Sequence, residues 1–382
     1  MRKGLVWLLM LCMIAGMSAC AEADVWMYAC SVGKADAILI GAGGSACLID
    51  AGYARSRGKI LAAMKTMGVE KLDAVFVTHT DDDHVDGLEW LAQSDIEVGA
   101  WYASAMFIDV KESKHPAVKA AKLRNEQVQW LKAGDVVPLD GAALEVLAPS
   151  VLNQEKDDNN SLVMMLRCDA GNILLAGDME FPEEQVLLAS GAPLDCDVLK
   201  VGNHADNDTN SEAFLRAVSP KVAVISTSTA EKAETPDPRV VAGLESVGAQ
   251  VVVTQECTGG VLVRLNGGDA SVERIDLPQP DGSVIVEDVV AGEDIVILYN
   301  SGGSAVDVGG WYLYSDKGGE MFVLPGGTVI EAGQRLVIGT NSTEEEYDIL
   351  WDDKKVVHKS KTDVVALYDG NGMMVSSLSN GY

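Results

Sequence analysis

Five histidines occur in the 382 residues, and two of them bound one short run, His79-Thr80-Asp81-Asp82-Asp83-His84, that leaves the apolar stretch Ala74–Val77. Imidazole nitrogens mixed with carboxylate oxygens are ligands for zinc, manganese or iron. Side chains alternate in direction as a chain leaves a strand, so His79 and Asp81 can face one ion while the adjacent Asp83 and His84 face a second. Ala176-Gly177-Asp178 and Val201-Gly202-Asn203-His204 end two further apolar runs, and Leu48-Ile49-Asp50 a third. Any one of these residues alone is more simply a solvated turn carboxylate or a hydrogen-bonded imidazole. Ligand-type side chains at four strand ends together point to a metal centre.

The elements that must position these residues are legible as runs. Val25–Cys30, residues 37–40 and residues 46–49 are short and β-rich, separated by glycine turns. Residues 60–67 have helical periodicity and stop at Gly68; residues 161–167 and 172–176 read as a hairpin. Residues 197–201 and 221–226 are buried-type strands around a helix at 211–218. Strands alternating with helices, with polar clusters at strand C-termini, indicate a layered α/β domain with its site along one sheet edge. Leu277-Pro278-Gln279-Pro280-Asp281-Gly282 reads as a linker, and the texture beyond it is all β, with turns such as Pro325-Gly326-Gly327. The expected division is residues 24–270, a linker at 271–283, and a small β-sandwich at 284–382.

Lys and Arg number 29 against 57 Asp and Glu, a net charge of −28. Such a surface repels long polyanions and anionic lipid, so general electrostatics disfavours capture of nucleic acid, and any phosphate-bearing substrate must be held by local cations. Apolar residues at 48% exclude a wholly disordered chain.

The N-terminus reads as an export signal over residues 1–23: Arg2 and Lys3, an apolar run over 4–18, then small residues. Met17-Ser18-Ala19-Cys20 has the form of a lipobox that would leave a lipid on Cys20, whereas Ala21-Glu22-Ala23 is an A-x-A site that would release the chain. Either way the expected location is extracellular or at the cell surface, with no transmembrane segment in the mature chain. Cys30, Cys47, Cys168, Cys196 and Cys257 lie scattered in apolar runs with no CxxC, and read as small buried hydrophobes.

The set resembles the metallo-β-lactamase-fold hydrolases, with Leu48-Ile49-Asp50-Ala51-Gly52 as the first element and His79 to His84 as the strand-end motif, Asp81 standing where a middle His is usual. That form is similar to the hydrolase domain of ComEC-type competence proteins. Gly33-Lys34-Ala35-Asp36-Ala37-Ile38-Leu39-Ile40, Asn159-Asn160-Ser161-Leu162-Val163, Leu174-Leu175-Ala176-Gly177-Asp178-Met179-Glu180 and Asp197-Val198-Leu199-Lys200-Val201-Gly202-Asn203-His204 match further motifs in order. The departures are Lys34-Ala35 for Gln-Gly, Asn203-His204-Ala205-Asp206 for His-His-Gly-Ser, and Asn160-Ser161 where the wider family has another His. After the linker, Ile295 to Asn300, Val308 to Leu313 and Ala366 to Gly372 resemble a lamin-tail domain, which is immunoglobulin-like.

The resemblance implies an αββα sandwich followed by an all-β sandwich, and an exported hydrolase holding two divalent metal ions, Mn or Zn. His79, Asp81 and a bridging Asp178 would hold the first; Asp83, His84, Asp178 and His204 the second. Asp83 would orient a dinuclear metal-bound hydroxide, and Asp50 would orient a ligating His. Asn203, Lys200 and His115 are the substrate-side expectations, with a surface-loop role open for His115 and a structural one for Lys200. Carboxylate in place of imidazole favours harder ions such as Mn²⁺. A phosphodiester-type substrate, nucleic acid included, fits best. The alternatives are an exported binding protein with a degenerate metal site and a hydrolase of a non-phosphate ester or lactam. The second domain implies cell-surface or protein contacts, and turnover of small substrates is expected to survive its removal.

Overall fold

Val25, Met27 and Ala29 alternate with Trp26, Tyr28 and Cys30 along the first strand, yet all six are buried, because the two faces of that strand enter two different cores. A strand apolar on both sides must lie inside a layered stack. The computed structural model, which describes residues 24–341, 343–353, 356–358 and 360–381, shows that stack.

Strands β1 (Val25–Cys30), β2 (Ile38–Ala42) and β3 (Ser45–Ile49) form an antiparallel meander, and β4 (Ala74–Val77), β5 (Trp101–Ser104) and β6 (Val128–Leu131) continue from it in parallel. The second sheet begins with β7 (Val136–Leu139), β8 (Ala142–Ala148), β9 (Val163–Cys168) and β10 (Gly171–Leu175), all antiparallel, and ends with β11 (Val198–Lys200), β12 (Val222–Ile225) and β13 (Gln250–Val253), all parallel to β10. The chain then returns to the first sheet as β14 (Gly260–Asn266) and β15 (Asp269–Ile275), giving the order β15-β14-β1-β2-β3-β4-β5-β6.

One core fills the space between the sheets. A second packs α1 (Arg57–Met67), α3 (Leu88–Gln93) and α4 (Pro116–Leu123) on the first sheet, with the single turn α2 (Asp82–Val85) beside them. A third packs α5 (Phe181–Ser190), α6 (Glu212–Val218) and α7 (Pro238–Ser246) on the second. The result is the expected αββα sandwich. The C-terminal ends of parallel strands β3, β4, β10 and β11 meet at one edge, where crossover loops must begin.

β15 carries the first unit to Ile275, so the connecting segment starts after it rather than at residue 271. Beyond it, two four-stranded sheets close an all-β, immunoglobulin-like sandwich on its own core. One comprises β16 (Val284–Val290), β17 (Ile295–Asn300), β22 (Arg335–Thr340) and β23 (Ile349–Trp351). The other comprises β19 (Tyr312–Ser315), β20 (Met321–Val323), β24 (Val364–Tyr368) and β25 (Met374–Ser379), and β18 (Val306–Asp307) pairs separately with β21 (Val329–Ile330). This sandwich is packed against α1 and the turn before it: Gly58 lies against the Gly372 backbone, Tyr312 donates to the Arg55 carbonyl at 2.7 Å, and Met321 joins the outer core of the first sheet. Among the described residues no helix is long and apolar enough to cross a membrane; residues 1–23, with the export signal and Cys20, lie outside the described residues.

Candidate metal centre

The strand ends deliver six of the expected residues to one place. Asp50 follows β3, and His79 to His84 follow β4, with Asp83 and His84 in the first turn of α2. Asp178 follows β10, and His204 follows β11. His84 Nε2 and His204 Nε2 each lie 3.3 Å from Asp178 Oδ2, and His204 Nε2 lies 3.4 Å from Asp83 Oδ2. The His79 and His84 rings are 4.2 Å apart between centroids. Ligand atoms of His79, His84 and Asp178 form one compact group, and those of Asp83, His84 and His204 another.

The far side of each ring is fixed. His84 Nδ1 meets Asp50 Oδ2 at 2.8 Å, His204 Nδ1 meets the Ser226 carbonyl at 2.7 Å, and His79 Nδ1 meets the Thr78 hydroxyl at 3.0 Å. All three Nε2 atoms, and Asp178 Oδ1, are buried without a hydrogen-bond partner. Buried polar atoms are rarely left so, and each costs about 1–3 kcal/mol when it is. Three nitrogens braced from behind and aimed at shared carboxylates are the donor set of a divalent cation. The residues fit the group.

Electrostatics agree. Burial alone would raise the Asp178 carboxyl, but His204 and His84 outweigh it and hold it well below the usual carboxylate range. Burial likewise opposes charge on the imidazoles, yet Asp178 and Asp50 push His84 well up, and Asp178 with Asp83 pushes His204 up to about 9. The anionic pocket that retains protons on these rings would retain a cation instead.

The backbone is strained where the site needs it. Asp50 has φ 56°, and Asn203, His204 and Ala205 have φ 42°, 52° and 62° in succession. Left-handed non-glycine residues cost about 1–3 kcal/mol each and cluster at functional sites. They turn His204 back over the strand end; the Ala205 position, where the related motif has Gly, carries that strain without glycine's relief.

Of the substrate-side expectations, Lys200 takes its structural alternative and His115 takes neither of its two. Lys200 is not at the mouth: only 1% exposed, it pairs with buried Asp36 at 2.8 Å beneath the site, a fixed cation that no substrate can reach. His115 is neither a surface-loop residue nor a substrate contact: it is fully buried, packed edge-on to Phe107 and Trp130, and its Nδ1 caps α4 by accepting from Ala117. Burial pushes it down to about 4. Asn203 stands at the site's edge, where its amide donates to Glu180 Oε1 at 3.3 Å.

Asp81 sits on the accessible side, Oδ2 3.9 Å from His79 Nε2. Beside it the structure places a residue that motif reading passed over: Asp158, whose carboxylate groups with His79 and Asp81. The polar run Asp157-Asp158-Asn159-Asn160 leading into β9 is the available signal. Where the wider family has a His, Asn160 bonds within its own loop and Ser161 Oγ accepts from the Asp178 amide at 3.2 Å. Lys34 adds an ammonium at the mouth, 2.9 Å from Asp83 Oδ2.

The model of the Metallo-beta-lactamase superfamily matches residues 31–229, and that of the Lamin Tail Domain residues 278–381. ComE operon protein 3 of Bacillus subtilis (strain 168) is 26% identical over 197 residues, 52% of this chain and 25% of that protein. Competence protein ComA of Neisseria gonorrhoeae is 26% identical over 257 residues, 67% of this chain and 34% of that protein. The chain therefore spans only about a quarter to a third of these relatives' own length. The metallo-beta-lactamase fold protein YhfI from Bacillus subtilis aligns with a TM-score of 0.42 at 11% identity, covering 63% of this chain and 99% of that one. With the motifs, the fold and the family match in agreement, the chain belongs to the metallo-β-lactamase superfamily of hydrolases, is similar within it to competence proteins, and carries a lamin tail domain behind the hydrolase domain.

Proposed function

We propose that the protein is an exported hydrolase of phosphodiester-type substrates, nucleic acid among them, that works with two divalent ions, Mn or Zn. The observation that carries metal-assisted hydrolysis is the group of orphaned, buried Nε2 atoms of His79, His84 and His204 around Asp178. When bound, two such ions would lower the pKa of water toward neutrality and neutralise charge on a phosphoryl oxygen. The chain's own part is positional. Asp178 reaches both His84 and His204, Asp83 faces the same space, and Asp50 holds His84 in one orientation.

A phosphate ester is favoured over a lactam by the donor set and the mouth. Asp81 and Asp158 group with His79 on the accessible side, a harder set than imidazoles would give. The mouth is a cavity of about 550 Å³ lined by Lys34, Tyr53, Thr80, Asp81 to Asp83, Asp109 and Val110. Lys34 is the one cationic side chain among its lining residues, placed to meet an anionic oxygen. The relatives named for competence, and one named Recombination protein 2, support nucleic acid as a substrate class. Export rests on the charged and apolar start of the sequence, and the lamin tail domain suits cell-surface or protein contacts.

The test is a panel on chelated and reloaded protein: bis-p-nitrophenyl phosphate, p-nitrophenyl phosphate, a chromogenic cephalosporin and single-stranded DNA. Metal-dependent cleavage of the diester and of DNA is expected; cleavage of the cephalosporin alone would refute the substrate class. A binding protein with an incomplete site is favoured by Asn203 and Ala205 in the last motif and by the Lys34 ammonium resting on Asp83. Metal content decides between them, since a catalytic centre should hold close to two ions per chain.

A further inference from the structure

Lys34 reaches Asp83 from a loop that does not hold itself. Gly33 has φ 91°, a left-handed conformation that favours glycine, and its Cα faces the Glu231 carboxylate. Glu231 Oε2 accepts from the Lys34 amide at 2.9 Å, and Glu231 Oε1 pairs with Arg55 Nη2 at 3.0 Å. Arg55 is in turn seated by aromatic rings. Its guanidinium lies 4.2 Å from the Tyr53 ring centroid and 6.0 Å from that of Tyr314, while its carbonyl accepts from the Tyr312 hydroxyl at 2.7 Å. Tyr312 and Tyr314 belong to β19 of the lamin tail domain.

We propose that the lamin tail domain is a positioning part of the hydrolase site: it seats Arg55, which fixes Glu231, which fixes the loop that sets Lys34 on Asp83. The contact is close enough to transmit position. Gly58 of α1 lies so near the Gly372 backbone that a Cβ at Gly58 would collide with it, and Lys59 Nζ meets Met373 Sδ at 2.9 Å. Two packed glycines leave no slack for the domains to slide without breaking the Tyr312–Arg55 bond. Dispensability of the second domain, expected from the ligand positions alone, gives way to a coupled arrangement. The functional consequence rests on the metal-centre reading, whereas the positioning of Lys34 does not.

The test keeps the full chain and reads Lys34 directly, by the rate of acetylation of each lysine with acetic anhydride followed by mass spectrometry. Arg55→Ala removes the middle of the relay, and Gly58→Ala wedges the domains apart beside the Tyr312 hydroxyl while leaving the Arg55, Glu231 and Lys34 side chains unaltered. Both should speed acetylation of Lys34 roughly two- to fivefold, the scale of losing one partly exposed ion pair, with exposed Lys132 unchanged. Asp83→Asn sets the rate for a released Lys34. Mn²⁺ affinity by calorimetry supplies a second readout: both variants should shift it in the same direction as Lys34→Met, and neither should shift it further in a Lys34→Met background. Unchanged Lys34 acetylation in both variants overturns the proposal. Faster acetylation in a chain that binds no Mn²⁺ would uphold the relay and refute the metal centre instead.

Discussion

Asp50 stands directly behind His84, Oδ2 to Nδ1 at 2.8 Å, while the same carboxylate takes the Thr78 amide at 2.8 Å and the Thr78 hydroxyl at 2.7 Å. A fully buried carboxylate with every partner on the protein side does not face the ions; it fixes which nitrogen of His84 does. Asp50→Asn should therefore lower metal affinity about 10–100-fold without abolishing it. Competition against a fluorescent chelator measures this, and unaltered affinity would remove Asp50 from that role.

Asp178 is different in kind, since it lies 3.3 Å from both His84 Nε2 and His204 Nε2. Asp178→Ala takes away the carboxylate that lies between His84 and His204. Loss of one or both ions by elemental analysis should accompany a fall in turnover of several powers of ten. A variant that keeps both ions and near-normal turnover would contradict the shared position.

Asp158 separates geometry from motif. Asp158→Ala should weaken metal binding on the His79 side, whereas Asp82→Ala, at an exposed position outside every ligand group, should not. Equal effects from the two would mean that Asp158 acts only through general charge. The same carboxylate-rich surroundings should let Mn²⁺ restore chelated enzyme at least as well as Zn²⁺.

The pH dependence of stability should differ between metal-free and loaded protein. His204 is raised from its ordinary 6.5 to about 9 in the folded, metal-free chain. A raised folded pKa stabilises fully below 6.5 and loses that contribution as pH climbs through about 9. Asp178 and Asp83 lie below their ordinary 3.8, so their contribution is present above that value and fades as pH falls through the depressed range. Melting temperature of chelated protein should drop from pH 6.5 to 9, and metal loading, which displaces the imidazole protons, should remove that drop. A parallel decline in both forms would contradict the protonated rings.

Much of this was legible in the sequence because the informative residues are local. His79 to His84, Gly177-Asp178 and Gly202 to His204 each leave an apolar strand, and a strand end fixes direction without tertiary knowledge. The sequence leaves Lys200 open between a structural role and a substrate contact, and misplaces His115, because a charged or polar side chain reads as exposed until its partner is known. Asp36, which is 164 positions from Lys200 in the chain, and the Phe107–Trp130 pocket around His115 are visible only in three dimensions. Asp158 was passed over because it precedes the matched motif by one residue. The docking of the lamin tail domain on α1 had no signal at all: Gly58 and Gly372 are ordinary glycines until the fold lays one on the other.

The most direct measurement is hydrolysis of bis-p-nitrophenyl phosphate by the full chain, stripped with chelator and titrated with Mn²⁺, beside a His84→Ala, His204→Ala double variant. The expected result is no turnover when stripped, recovery that saturates near two ions per chain, and no recovery in the double variant at the same Mn²⁺. Turnover that survives stripping, or that the double variant recovers in full, would contradict a metal centre at His79, His84, His204 and Asp178.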